Sequence, residues 1–103
     1  MIPTNRERVW QVIHSIPIGK VSTYGRVANM AGLPKQARAV GKYLSELPEG
    51  SKIPWHRVIN SQGKISFEVG TERFLAQKNK LVDEKVDFAN NRVNLKYFLW
   101  QGE

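Results

Sequence analysis

Cysteine is missing from all 103 residues, which excludes a disulfide framework and any zinc site built on sulfur. Histidine is nearly as scarce, and His14 and His56 are too few to hold a metal by themselves, so neither metal nor cofactor is expected. No run of about 18 apolar residues occurs. The start, Met1 to Arg8, has neither the apolar stretch nor the cleavage site of a signal peptide. These absences predict a soluble, cytoplasmic chain with no membrane partner. Repeats, low-complexity runs and linkers are also lacking, so a single domain over 1–103 is expected. Acidic residues are few: nine Asp and Glu against sixteen Lys and Arg leave a net charge of +7, which favours a polyanionic partner. Charge alone does not choose between nucleic acid, acidic lipid and acidic protein. The 41% of hydrophobic residues suffices for a modest core without staples.

Local patterns predict mostly helices. Thr4 followed by Glu7 is a reciprocal capping pattern for a helix that turns Val9, Trp10, Val12, Ile13 and Ile16 inward and stops at Pro17. Ser22 or Thr23 caps a second helix to about Ala31, packed through Val27, Ala28 and Met30 and ended by Gly32. Pro34 opens a third, Lys35 to about Leu44, with Val40 and Leu44 on one face and Ala37, Arg38 and Gly41 on another. The second and third form a helix-turn-helix candidate. From Pro48 the chain reads as a loop, then an extended stretch from Lys52 to Ile59, a turn at Asn60 to Gly63, and a short return strand through Lys64, Ile65 and Phe67. A helix fits Glu72 to about Val82, with Phe74, Leu75, Lys78, Leu81 and Val82 at helical spacing. The last segment alternates as a hairpin around Asn90-Asn91, from Val86 to Leu95.

The third helix combines small residues with one long cation. A B-form minor groove is about 6 Å wide and an ordinary helix about 10 to 12 Å across, so Ala37, Ala39 and Gly41 are what a fit to it needs. The same residues also permit close helix packing, with Arg38 merely solvated. Lys35 and Lys42 add capacity for phosphate. Thr23 and Tyr24 stand at the start of the second helix, where hydroxyls and amides meet phosphates, although a tyrosine there also serves as half-buried packing.

Tyr24, Arg38 and Trp55 fall at intervals of 14 and 17 residues. Together with Gly19-Lys20-Val21-Ser22-Thr23-Tyr24-Gly25, Ala37-Arg38-Ala39-Val40-Gly41, Pro54-Trp55-His56-Arg57-Val58 and Gly63, this spacing resembles the DNA-binding domain of the O6-alkylguanine-DNA alkyltransferases. The resemblance runs from about Arg8 to Val82 and is closer to the alkyltransferase-like proteins, in which tryptophan or alanine replaces the alkyl-accepting cysteine. Their compact form lacks the enzymes' separate N-terminal domain.

The resemblance implies a mainly α fold with small β elements, of the winged-helix-like, helix-turn-helix kind found in the alkyltransferase C-terminal domain. It implies that the second helix of the helix-turn-helix enters the minor groove, with Ala37 and Gly41 against it. Tyr24 crowds a phosphate so that the target nucleotide rotates outward, and Arg38 fills the gap. The flipped base enters a pocket walled by Pro54 and Trp55, and the loop holding Val69 contributes contacts. His56 and Arg57 are left with structural roles, because the thiol that the histidine serves in active relatives is absent. Other departures agree with lost catalysis. Leu47 replaces a motif asparagine, the expected place of the supporting glutamate shows Lys78 and Asn79, and the 66–70 segment departs from the guanine-holding pattern.

These features imply a non-enzymatic, monomeric sensor that binds double-stranded DNA containing O6-alkylguanine and flags it for nucleotide excision repair proteins. The rival is a small helix-turn-helix transcriptional regulator or architectural DNA-binding protein, which has no use for Tyr24 and Pro54-Trp55-His56 at that spacing.

Overall fold

A computed structural model describes residues 2–102. Thr4 and Glu7 form the expected reciprocal cap: the Thr4 hydroxyl accepts from the Glu7 amide at 3.1 Å and Glu7 Oε1 from the Thr4 amide at 2.9 Å. Helix α1 therefore begins at Asn5 and runs to His14, ending before Pro17, with Ile16 buried just beyond it. Strand β1, Ser22–Thr23, leads directly into α2, Tyr24–Met30, whose N-cap is Thr23. Gly32 (φ +81°) stops α2 in a Schellman turn: the Leu33 amide returns to Ala28 O at 2.8 Å and the Gly32 amide to Asn29 O at 3.1 Å. Leu33 then joins Ala28 in the core.

Helix α3 spans Ala37–Ser45 and starts later than Pro34 suggests, because Lys35 adopts a left-handed φ of +65° that no helix continues through. Trp55–Arg57 form a short 3-10 turn, followed by β2, Val58–Ile59. The extended stretch expected from Lys52 is thus reduced to two strand residues. They pair in parallel with β1, Ser22 opposite Val58 and Thr23 opposite Ile59. Helix α4, Glu72–Asp83, is capped by Thr71; β3 (Phe88–Ala89) and β4 (Arg92–Val93) pair antiparallel; α5 covers Leu95–Phe98. Asn90 and Asn91 have φ of 53° and 58°, the left-handed pair a two-residue hairpin turn requires. Leu95, expected in the second strand, is instead turned into α5 by the Asn94 cap.

Successive strand residues point to opposite faces, and β2 uses this to divide the interior. Val58 packs with Val9, Ile13, Val27, Val40 and Trp100 from the α1–α3 side. Ile59 packs with Val21, Phe74, Leu81, Val86 and Val93 on the α4 and hairpin side. The C-terminal segment lies beside Val21, which donates to Phe98 O at 3.0 Å and accepts from the Trp100 amide at 2.8 Å. Mainly helical with small sheets, the architecture agrees with the sequence reading.

Three expected core residues lie outside it. Met30, Leu75 and Val82 are 42%, 47% and 49% exposed, because each falls on the solvent side of its helix. Trp10 is only half-buried, its indole N–H donating to Tyr43 O at 2.9 Å. The return strand through Lys64 to Phe67 is absent; Asn60 Oδ1 accepts from the Gln62 and Lys64 amides, and the chain bends away with Ile65 buried. Among the described residues no helix is long and apolar enough to cross a membrane.

Gly63 anchors the hairpin, its carbonyl accepting from the Val93 amide at 2.8 Å, and its φ is +80°. A Cβ there would stand 2.5 Å from Val93 O, closer than backbone permits. Gly63→Ala is expected to destabilise the fold by more than about 2 kcal/mol, the left-handed φ alone costing about 1 to 3; urea unfolding with a native midpoint would disprove this.

Candidate nucleic-acid interface

Pro54 sets the geometry of the motif that follows it. Its φ of −78° and ψ of 69° close an inverse γ-turn, with the Trp55 amide donating to Ile53 O at 2.8 Å. Proline's ring fixes that φ in advance. The turn leaves the Trp55 indole half-buried, lining a cleft of about 550 Å³ together with Tyr24, Gly41, Phe67, Arg73 and the 47–51 loop. Tyr24 arrives there as the first residue of α2. Thr23 fixes its position through pairing with Ile59 and through Oγ1, which accepts from the Arg26 amide at 3.3 Å.

Of the residues singled out from the sequence, Tyr24, Gly41 and Trp55 meet at this cleft. Pro54 is buried and lines a neighbouring hollow instead. Thr23 is buried as a helix cap. Val69 is 64% exposed on the loop before α4 and does not line the cleft. Ala37 and Arg38 lie in the first turn of α3, Ala37 half-buried and Arg38 exposed, with no hydrogen-bond or ion-pair partner for Arg38 among the described residues. A Cβ placed on Gly41 would meet nothing within 4 Å, so the fold itself does not need glycine there. Phe67, from the 66–70 segment that replaces the guanine-holding pattern, lines the cleft as well; Arg73 was not anticipated, and it stands 5.8 Å over the Phe67 ring.

The carboxylate supporting His56 is present, contrary to the sequence reading that placed Lys78 and Asn79 in its position. Glu84 Oε2 lies 2.8 Å from His56 Nε2 and 2.7 Å from Arg57 Nη2, while Oε1 accepts from Arg57 Nε at 2.9 Å and the Gly19 amide at 3.4 Å. Arg57 Nη1 continues to Ile16 O at 2.8 Å. Lys78 instead reaches Asn91 Oδ1 at 2.9 Å. Glu84 lies beyond that region because α4 runs on to Asp83 and ends in a Schellman turn at Lys85 (φ +70°), with Val86 returning to Leu81 O at 3.0 Å. One signal was available: an acid at a helix C-terminus opposes the helix dipole, which indicates that it is paired elsewhere.

Burial pushes the Glu84 carboxyl up, but hydrogen bonds from Arg57 and His56 and their positive charge outweigh it and hold the group at about 2. Burial lowers His56 below its ordinary value, and the bond to Glu84 only partly opposes this. With Glu84 ionised and His56 neutral, Nε2 carries the imidazole proton and Nδ1 is an acceptor. Gln77 adds a further tie, its amide donating at 3.0 Å to both His56 O and Val58 O. The Trp55 and His56 rings meet edge to face, with centroids 6.0 Å apart.

The 6-O-methylguanine DNA methyltransferase, DNA binding domain, matches residues 4–86. A DNA base-flipping protein of Vibrio parahaemolyticus is 53% identical over 95 residues, covering 91% of this chain and 93% of its own. The alkyltransferase-like protein of Schizosaccharomyces pombe, in complex with damaged DNA containing O6-carboxymethylguanine, superposes with a TM-score of 0.87 at 34% identity, over 97% of this chain and 99% of that one. Mycobacterium tuberculosis OGT in complex with DNA gives 0.71 at 33% identity, over 82% of this chain and 52% of that one.

His56 and Glu84 make stability acid-sensitive in two stages. His56 binds a proton more readily unfolded than folded, so its contribution falls as pH drops below about 6.5. Glu84 contributes fully above about 4.5, its ordinary value, and that contribution is lost as pH falls toward about 2. Urea midpoints measured from pH 8 to 3 should fall in both ranges, and His56→Gln should remove the upper stage. Glu84→Gln is expected to cost about 3 kcal/mol at neutral pH by leaving buried donors uncompensated; a midpoint unchanged from native would refute the clamp.

Proposed function

The chain belongs to the family of the 6-O-methylguanine DNA methyltransferase DNA-binding domain, within its alkyltransferase-like branch, and we propose that it is a non-enzymatic sensor of O6-alkylguanine in double-stranded DNA. One observation carries this reading: Tyr24, Gly41 and Trp55 line a single cleft beside α3, with tryptophan where the active relatives carry their nucleophile. The base-flipping relative and the complex of the S. pombe protein with damaged DNA support it.

Helix α3 enters the minor groove on the side of Ala37 and Gly41, one helical turn apart. The open space at Gly41 serves the partner, since no atom of the chain occupies it. Tyr24 crowds a backbone phosphate, the target nucleotide rotates out, and the unpartnered Arg38 takes its place in the stack. Extrusion costs a few kcal/mol, less for a poorly paired alkylated base. Stacking on Trp55 returns about 1 to 3 kcal/mol, which offsets much of that cost without any reaction, and the lower extrusion cost is what favours the lesion. His56 and Glu84 keep the arrangement that would serve a thiol, but no thiol is there to be activated. Because the alkyl group stays on the base, the lesion must be removed by another process. The protein acts as a monomer that flags the site for nucleotide excision repair proteins.

A titration at fixed salt should show tighter binding to O6-methylguanine duplex than to the unmodified one; equal affinities would favour a regulator or architectural protein. Radiolabelled methyl should remain on the DNA, and label on protein would sink the sensor reading. Arg38→Ala, Tyr24→Ala and Trp55→Ala should each cost about 1 to 3 kcal/mol of lesion binding with little unfolding. Gly41→Ala is expected to raise stability by about 0.5 to 1 kcal/mol through helix propensity while weakening DNA binding. Stabilisation with undiminished binding would place the groove-facing surface elsewhere.

A further inference from the structure

A hollow of about 400 Å³ adjoins the lesion cleft and shares Ser51 and Trp55 with it. Its nitrogens come from three separate parts of the chain: His14 at the end of α1, Lys52 with His56 and Arg57 around the 3-10 turn, and Lys80 on α4. Neither α2 nor α3 contributes to it, so the surface assigned to the minor groove does not explain its charge. No carboxylate lines it, and Glu84 already has both oxygens engaged by His56, Arg57 and Gly19. Among the described residues the Lys52 and Lys80 ammonium groups have no partner. His56 is held low by burial first, and the charges of Arg57 and Lys80 add to this, which places the Lys80 charge close enough to be felt inside the hollow. Ser51 Oγ accepts from the Ile53 amide at 3.2 Å and keeps its own proton to donate.

A lining of donors without a carboxylate suits an oxyanion, and the donors that remain free select its shape. Carboxylates are matched best by the planar arginine fork, but Arg57 has committed Nε, Nη1 and Nη2 to Glu84 and Ile16. What is left are the point charges of two lysines and a hydroxyl, which suit a tetrahedral phosphoryl group. The hollow also lies in the size range of sites that take an organic ligand, so a phosphate carrying its ester substituent fits.

We propose that this hollow is a phosphate-ester site, in which Lys52, Lys80 and the Ser51 hydroxyl hold the phosphoryl oxygens. Its phosphate comes either from the strand whose nucleotide occupies the adjoining cleft or from a free phosphate ester.

The site is tested on the full chain without DNA, so its failure is separate from failure of lesion sensing. Inorganic phosphate, titrated against chloride of matched ionic strength, should give saturable NMR shifts at the amides of Ser51, Lys52 and Trp55 to Arg57 and at Lys80. The double variant Lys52→Gln, Lys80→Gln should bind phosphate at least tenfold more weakly with an unchanged thermal transition. Absence of a saturable response beyond the chloride control, or native binding by the double variant, overturns the proposal. Once phosphate binding is seen, O6-methylguanine duplex identifies its source. Displacement of bound phosphate assigns the site to the DNA strand, and simultaneous binding assigns it to a free ester; both results support the site.

Discussion

Both oxygens of Glu84 are taken by donors from parts of the chain that no local pattern brings together: Gly19 after α1, and His56 and Arg57 in the turn before β2. Through Arg57 the same carboxylate reaches the Ile16 carbonyl. Taking such a charge out of water is costly, and the cost is offset only because every oxygen finds a donor. The arrangement therefore tolerates little loosening. It holds the end of α4 against the turn that follows Pro54, and the direction of the Trp55 indole depends on that turn. A mainly helical chain with two strand pairs of two residues each has few other rigid ties across its middle.

Local chemistry was readable in the sequence wherever it acts within a few residues. The Thr4 and Glu7 cap, the Gly32 stop and the Asn90-Asn91 turn all form as the residues indicate. Motif spacing brought Tyr24, Gly41 and Trp55 to one cleft, which helical periodicity alone would not have done. Long-range pairing was hidden. Ser22–Thr23 and Val58–Ile59 are too short to show any alternation, and their parallel register exists only once the helices between them are packed. Glu84 was missed for a related reason, since its partners lie far back in the chain. Lys35 and Lys85 carry left-handed backbone without the glycine or asparagine that would announce it, so the start of α3 and the exact stop of α4 could not be placed.

The retained histidine and glutamate beside a tryptophan separate two demands usually met by the same residues. Activating a thiolate needs a base of suitable basicity, whereas positioning a pocket wall needs only a rigid one. Here burial keeps His56 neutral, the Glu84 carboxylate ties its ring, and Gln77 holds the backbone on both sides of Arg57. Chemistry at residue 55 can be lost without loosening the scaffold around it.

The division of the interior by Val58 and Ile59 bears on the order in which the molecule assembles. Helices α1 to α3 are joined by short connections, so their shared cluster closes with little loss of chain entropy. The Glu84 ties to Gly19 and Arg57 span 65 and 27 residues, and the first of these closes one of the longest loops in the molecule. Helical packing on the Val58 side can thus precede closure on the Ile59 side. The half that carries α3 holds the more local contacts of α1 to α3, and the turn that aims Trp55 depends on ties that close much longer loops.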